Sequence, residues 1–161
     1  MATPPPASPL LDIRGSAVIL DTSDRVLMVQ PTGAESYELP GGVAEPGEED
    51  WQAMARSVRT QLGLVVSPFR LLAKDFLPAQ AEGGPVGYTF VYDCGRYAYD
   101  TPIVVPGGET GVAGYAWVAI SALEHHCRPE HDRLVMAALT ARTEGTTAVL
   151  RRGAPAYAVE G

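Results

Sequence analysis

Basic residues are scarce in this chain: 12 lysines and arginines stand against 19 aspartates and glutamates, which gives a formal net charge of −7. Proteins that bind nucleic acid generally need a basic surface for the phosphates, so we expect no nucleic-acid partner. The sequence also lacks an apolar run of the length needed to cross a bilayer, and we expect no membrane association.

Cysteine occurs only twice, at Cys94 and Cys127. The N-terminal stretch lacks the basic and apolar regions of a secretory signal peptide, so nothing in the sequence favours an oxidising compartment. We therefore predict two reduced thiols and a cytoplasmic location. The proline density of residues 1–12 predicts a disordered or extended lead-in.

A length of 161 residues suits one domain with a sizeable core. We place the domain at residues 13–142 and expect residues 143–161 to form a tail or to cover a sheet edge. Residue types predict strands at 15–20, 25–30, 69–76, 88–94 and 115–120. A helix is predicted to end at Gly63, with Trp51, Met54, Val58 and Leu62 facing the core. Another helix is predicted from Pro129 to about Arg142.

The most specific feature is the stretch from Leu39 to Leu64, which opens Leu-Pro-Gly-Gly-Val-Ala-Glu-Pro-Gly-Glu and continues into the first helix. Its order and spacing resemble the Nudix box, and the positions in register are Gly42, Glu48, Arg56, Val58, Gly63 and Leu64. The resemblance to the Nudix family implies an α/β fold, an α/β/α sandwich around a mixed, curved β-sheet. A layering of that kind is compatible with the order of the predicted elements.

Three box positions depart from the family pattern, which has glutamate at each: Ser57, Thr60 and Gln61. Residues at i, i+3 and i+4 share one helical face, where glutamates would gather carboxylate oxygens around a hard divalent cation. The resemblance implies that this metal polarises a diphosphate oxygen and activates a water molecule. Since the three residues offer neutral oxygens only, we predict no metal here and no cofactor, with Mg²⁺ or Mn²⁺ expected only in an active hydrolase.

The retained box residues predict a scaffold. The resemblance implies that Glu48 pairs with Arg56 and fixes the loop to the helix, and Gly63 suits the position that ends the helix. Gly41 and Gly42 let a ligand approach the main chain closely, and Arg56 is a candidate phosphate contact. These last three residues are therefore candidate ligand-binding residues.

Two further groups of side chains are weaker candidates. Tyr97 and Tyr99 lie in an irregular stretch and are candidates for stacking a nucleobase. The run His125-His126-Cys127 together with His131 has metal-ligand residue types, but no second cluster completes a tetrahedral zinc site. A surface loop is the favoured interpretation of this run.

Three functions are compatible with these residues. The first is a diphosphate hydrolase that draws its metal ligand or base from a displaced acid; the candidates are Glu45, Glu48, Glu49, Glu82 and Glu109. The second is a non-catalytic module that binds a nucleotide or nucleotide sugar. The third is an enzyme repurposed for metal-independent chemistry in the same cleft.

A cleft without carboxylates lacks the means to lower the pKa of a water molecule, which favours the second and third functions over the first. We expect a small phosphorylated ligand, such as a nucleotide or another diphosphate-containing molecule, with weak, altered or no metal-dependent hydrolysis. Whether the chain is an enzyme stays open. Family members often form dimers, so the resemblance is compatible with a homodimer.

Overall fold

The computed structural model describes residues 11–106 and 111–157. Most of the predicted lead-in, residues 1–10, lies outside the described residues, as do Glu109 and residues 158–161. Leu11 and Asp12, which the sequence assigned to the lead-in, are the first residues of a strand.

The elements follow one another along the described chain as strand β1 (Leu11–Leu20), strand β2 (Val26–Pro31), strand β3 (Gly41–Val43), helix α1 (Asp50–Leu62), strand β4 (Arg70–Leu77), strand β5 (Val86–Arg96), strand β6 (Val112–Val118), a 3₁₀ turn (Ile120–Ala122), helix α2 (Leu123–His126), helix α3 (Pro129–Glu144), strand β7 (Ala148–Arg151) and strand β8 (Ala154–Pro155). No helix in these ranges combines the length and the apolar character of a membrane span.

The strands form one mixed sheet in the order β6-β2-β1-β5-β4-β7-β8, and β3 pairs with β1 beside this path. β1 runs parallel to β5, and β4 runs parallel to β7, whereas the other pairings are antiparallel. Helix α1 packs on β1 and β3, and helix α3 packs on β4. The predicted α/β/α sandwich around a mixed sheet is confirmed.

The last four residues of strand β1, 17–20, are apolar on both sides of the sheet because each side faces a core. Ala17 and Ile19 belong to the apolar cluster that contains the buried residues of α1. Val18 and Leu20 point to the opposite side and pack in the cluster that contains the buried residues of α3. The alternation of a strand thus supplies both layers of the sandwich.

The two cysteines lie on opposite sides of the sheet. Cys94 belongs to the α1-side cluster and Cys127 to the α3-side cluster, and both are free thiols. Burial raises the pKa of the Cys127 thiol to about 11 and that of the Cys94 thiol to about 12. The sheet between them explains why the two do not form a disulfide.

Helix α1 ends as predicted and begins with a reciprocal cap. Gly63 has a φ of 67°, in the left-handed region that favours glycine, and its N–H donates to the carbonyl of Arg59. At the other end Glu49 caps the helix together with Gln52.

Trp51 is 39% exposed, so its predicted core position is wrong. Its indole N–H donates to Glu49 Oε2 at 2.8 Å, which holds the ring in the first turn.

The C-terminal segment extends the sheet. Strand β7 pairs in parallel with β4, and β8 folds back on β7, so residues 148–155 cover the edge that β4 would otherwise expose. Helix α3 continues two residues beyond the predicted end, to Glu144, and stops at Gly145, whose φ is 71°.

Candidate functional site

A cavity of about 390 Å³ opens on the α3 side of the sheet. Its floor crosses three adjacent strands, because Arg14 of β1 pairs in register with Thr89 of β5, which pairs with Asp75 of β4. Ser16 lies two residues along β1 on the same side, where the apolar series of Val18 and Leu20 gives way to polar residues. The cavity therefore begins where the α3-side core ends.

The walls of the cavity come from three segments that are distant in the sequence. They are the stretch that leads into the box, the start of helix α3 and the turn between β7 and β8; the lining residues that matter below are Tyr37, Glu38, Arg128, His131, Leu134 and Arg152. Arg14 Nη2 lies 3.3 Å from Glu38 Oε1, so this pair joins the floor to one wall.

Asp75 is the most deeply placed acid of the cavity, with 3% of its surface exposed. Its Oδ1 accepts a hydrogen bond from the N–H of Gly153 at 3.0 Å. Burial raises the pKa of this carboxyl, while the hydrogen bond from Gly153 and the charge of Arg133 oppose the rise. A carboxyl of this kind can both accept and donate a proton closer to neutral pH than an exposed aspartate.

His131 connects helix α3 to the segment before the box. Its Nε2 accepts a hydrogen bond from the N–H of Leu39 at 2.9 Å, which requires an unprotonated Nε2. Burial, and secondarily the charge of Arg14, lower the pKa of this imidazole to about 4. The same histidine lines the cavity, so this hydrogen bond connects Leu39, the first residue of the box, to the cavity lining.

Gln61 is hydrogen-bonded to the box loop at both ends of its carboxamide. Nε2 donates to the carbonyl of Gly41 at 2.9 Å, and Oε1 accepts from the N–H of the same residue at 3.2 Å. Gly41 in turn pairs with Ser16 of β1. The side chain that replaces a family glutamate thus fastens helix α1 to the loop.

The other two substituted positions are also engaged within the box. Ser57 is buried, and a Cβ atom at Gly42 would lie only 2.3 Å from its Oγ, so serine and glycine fit each other closely. Thr60 is exposed, and its hydroxyl donates to the carbonyl of Arg56 at 3.0 Å. Ser57, Thr60 and Gln61 do not line the cavity.

The divalent metal that the family resemblance implies does not fit this face of α1. A hard cation needs anionic oxygens, and the three side chains offer neutral oxygens that are largely committed to the loop and the helix. Residues 11–106 and 111–157 contain no group of three or more histidine, cysteine, aspartate or glutamate side chains arranged to hold a metal.

Glu48 and Arg56 form a two-point ion pair. Arg56 Nε donates to Glu48 Oε2 at 2.9 Å, and Nη2 donates to Oε1 at 3.0 Å and to the carbonyl of Val43 at 3.1 Å. The Arg56 hydrogen bond lowers the pKa of Glu48. Glu45, another candidate acid, is exposed and lies 3.9 Å from Arg56. This arrangement braces the loop against the helix.

The remaining predicted ligand contacts lie apart from the cavity. Tyr97 packs in the α1-side cluster, and its backbone N–H donates to Leu20. Tyr99 is 65% exposed beneath the guanidinium of Arg25. Gly41, Gly42 and Arg56 do not line the cavity either, so ligand binding through any of these residues stays a prediction. Glu82, a candidate displaced acid, is exposed and also lies outside the cavity lining.

The histidine-rich run is dispersed rather than gathered. His126 Nδ1 lies 2.8 Å from the carbonyl of Ala122, and its ring meets that of Tyr37 edge-on at 6.0 Å. His125 is exposed beside Glu124, whereas Cys127 is buried. His131 is directed to Leu39, as described above. The predicted surface loop is wrong, because His125 and His126 belong to helix α2, His131 belongs to helix α3 and Cys127 is buried between the two helices.

The residues of the cavity floor were not among the sequence candidates. Asp75 stands inside a predicted strand, and Thr89 and Ser16 stand inside two others, all otherwise mainly apolar. A buried acid or hydroxyl in the middle of such strands is a detectable signal for a polar site. That these three polar residues line one cavity follows from the order of the strands in the sheet, which cannot be read from the sequence.

Comparisons with known proteins agree on one family. The model of the NUDIX domain matches residues 12–139. The 8-oxo-dGDP phosphatase NUDT18 of Mus musculus is 42% identical over 60 residues, which are 35% of this chain and 19% of that protein. Its Homo sapiens counterpart is 37% identical over 79 residues, 47% of this chain and 23% of that protein. The matches thus span roughly a fifth of these relatives.

Solved structures show the same fold at low identity. The MutT protein from Methanosarcina mazei has a TM-score of 0.67 and 18% identity, over 86% of this chain and 98% of that one. A UDP-X diphosphatase has a TM-score of 0.65 and 20% identity, over 89% of this chain and 68% of that one.

We predict that Arg56→Ala lowers the melting temperature, because it removes the two-point pair with Glu48 and the hydrogen bond to Val43. Arg59→Ala is the matched control, since Arg59 is an exposed arginine on the same helix. Differential scanning calorimetry of both variants measures the effect. An unchanged melting temperature for Arg56→Ala would contradict the bracing role.

We predict that His131 makes stability depend on pH between about 6.5 and 4. In this window the unfolded chain binds a proton that the native imidazole does not, so the free energy of unfolding falls as the pH drops. The histidine contribution is complete above pH 6.5, and roughly 1 to 3 kcal/mol of stability is lost by pH 4.

Urea denaturation across this pH range measures the dependence. His131→Gln should flatten the curve, while His125→Gln, at an exposed histidine, should leave it unchanged. Equal curves for the wild type and His131→Gln would show that His131 is not held neutral in the native state.

Proposed function

The chain belongs to the NUDIX family, and on that premise we propose that it binds a nucleotide or another small diphosphate-containing molecule in the cavity beside α3. In this proposal metal-dependent hydrolysis is weak, altered or absent. The proposal takes up the second of the three functions considered above and keeps the third as its alternative.

The observation that carries the metal-independent part of the proposal is the pair of hydrogen bonds between Gln61 and Gly41. A cation at this position would have to displace both bonds and would gain only neutral oxygens in return. Dehydration of Mg²⁺ or Mn²⁺ is costly, and carboxylates normally offset it. Ligand binding to this chain therefore does not depend on a metal held by the box helix.

The cavity supports the same proposal by its composition. A volume of about 390 Å³ falls within the range of small-molecule sites. Arg128 and Arg152 suit an anionic group, whereas Arg14 is paired with Glu38. Tyr37 and Leu134 offer aromatic and apolar surface. A ligand with a charged end and a planar or apolar end, as a nucleotide has, matches this combination.

The relatives point to the same class of ligand. NUDT18 is named for a phosphatase activity on 8-oxo-dGDP, and a neighbour of similar fold is named a UDP-X diphosphatase. Both names describe small molecules with a diphosphate group. We therefore place nucleoside diphosphates and their conjugates first among the ligands to be tested.

One observation favours metal-independent catalysis as a second candidate function. Asp75 is buried in the cavity with a raised pKa, and Thr89 lies next to it in register. A carboxyl in such a position can act as a general acid or base on a bound ligand. An active hydrolase with displaced acids has less support, because Glu48 is engaged by Arg56 and Glu45 is exposed.

We predict that nucleoside diphosphates raise the melting temperature equally in EDTA and in magnesium. The panel comprises ADP, GDP, 8-oxo-dGDP, UDP-glucose and ADP-ribose, with adenosine and guanosine as uncharged controls, and thermal shift measures binding to the native state. Stabilisation that appears only with magnesium would favour a metal-dependent hydrolase. No stabilisation by any diphosphate would overturn the proposal.

A further inference from the structure

The turn between β7 and β8 contains an arginine in a backbone conformation that arginine rarely adopts. Arg152 has a φ of 48° and Gly153 a φ of 75°. Two-residue hairpin turns with positive φ at both positions favour Asn-Gly, because a longer side chain is disfavoured in the left-handed region. Besides Arg152, Asp24 is the other non-glycine residue with positive φ in the described chain, and aspartate tolerates that region.

Three hydrogen bonds fix this turn on the cavity. The N–H of Arg152 donates to the carbonyl of Phe76 at 3.0 Å, the N–H of Gly153 donates to Asp75 Oδ1 at 3.0 Å, and Arg133 Nη2 donates to the carbonyl of Arg152 at 3.0 Å. All three use the backbone of the turn. The Arg152 side chain is therefore not needed for holding the turn.

Glycine at position 153 shows how closely the turn meets helix α3. A Cβ atom there would lie 2.6 Å from the carbonyl oxygen of Glu130 and 3.0 Å from Arg133 Cβ. The turn thus presents Arg152 at the start of α3, where Arg128 also lines the cavity. Within residues 11–106 and 111–157, neither guanidinium makes a hydrogen bond or an ion pair.

The turn lies beyond residues 12–139, over which the family model matches. Residues 148–155 are thus a part of this chain outside the matched domain that nevertheless completes a wall of its cavity. Arg152 thus combines a strained backbone with a side chain that has no ionic partner among the described residues, and it stands at a cavity wall. This combination is expected when a side chain serves a ligand rather than the fold.

We propose that Arg152, presented by the β7–β8 turn, and Arg128 form the anion-binding wall of the cavity and hold the diphosphate group of the ligand. This inference rests on the proposed function and deepens it. It places the charged end of the ligand against helix α3 and the C-terminal hairpin, rather than against the box helix α1. Asp75 is a positioning residue for this wall, because its carboxylate holds the turn through Gly153.

Calorimetric titration with ADP, pyrophosphate and adenosine, all in EDTA, tests the inference on the full chain. Arg152→Asn and Arg128→Gln should each weaken ADP and pyrophosphate binding by about tenfold or more, the effect of losing a charge-assisted hydrogen bond. Any binding of adenosine should be the same in all variants. Arg151→Gln is the matched control, since the Arg151 guanidinium lies over the Phe76 ring at 5.2 Å and does not line the cavity.

Urea unfolding of the same variants gives a readout that needs no ligand. Arg152→Asn should raise the unfolding midpoint, because asparagine adopts the left-handed region at lower cost than arginine. A lower midpoint would show that the Arg152 side chain supports the fold and would overturn the inference. Unchanged ADP and pyrophosphate affinity in Arg152→Asn would overturn it while leaving the proposed function intact. A wild-type protein that binds neither compound would overturn both.

Discussion

The hydrogen-bonded pair of Gln61 and Gly41 joins the box loop to the helix that follows it. Both ends of the carboxamide meet one glycine, so hydrogen bonds within the chain fix the box loop to helix α1. The Glu48–Arg56 ion pair braces the same loop at a helix position before that of Gln61. Where the family pattern has carboxylates that gather a cation, this chain has neutral groups that hold its own backbone.

The consequence of this arrangement is that the box and the cavity lining are separate parts of the structure. The loop continues back through Leu39 to His131, and His131 belongs to the cavity on the opposite side of the sheet. The box therefore still contacts a cavity residue through this hydrogen bond, although its own side chains do not line the cavity. The polar residues that line the cavity come instead from the strand floor, the start of α3, the segment before the box and the β7–β8 turn.

Much of the fold could be predicted from the sequence, because local signals specify it. The ungapped box places α1 between Glu49 and Gly63, and the β-rich runs locate the strands to within a few residues. Trp51 was misplaced since helical spacing ignores the hydrogen bond that its indole N–H donates to Glu49. The cavity was missed for a different reason. Arg14, Thr89 and Asp75 are far apart in sequence, and only the order β1-β5-β4 brings them into one row. Tyr97 and Tyr99 have rings suited to stacking a nucleobase, but neither lines the cavity.

Paramagnetic broadening by Mn²⁺ tests most directly whether the box is a metal-free scaffold. In a ¹⁵N-labelled sample without ligand, the amide signals of Gly41, Gly42 and residues 57–61 are followed as Mn²⁺ is added. The account predicts that these signals keep the same relative intensity as those of distant core residues at micromolar Mn²⁺. Selective loss of the box signals at micromolar Mn²⁺ would contradict it, because a cation would then be held at the face that Gln61 occupies.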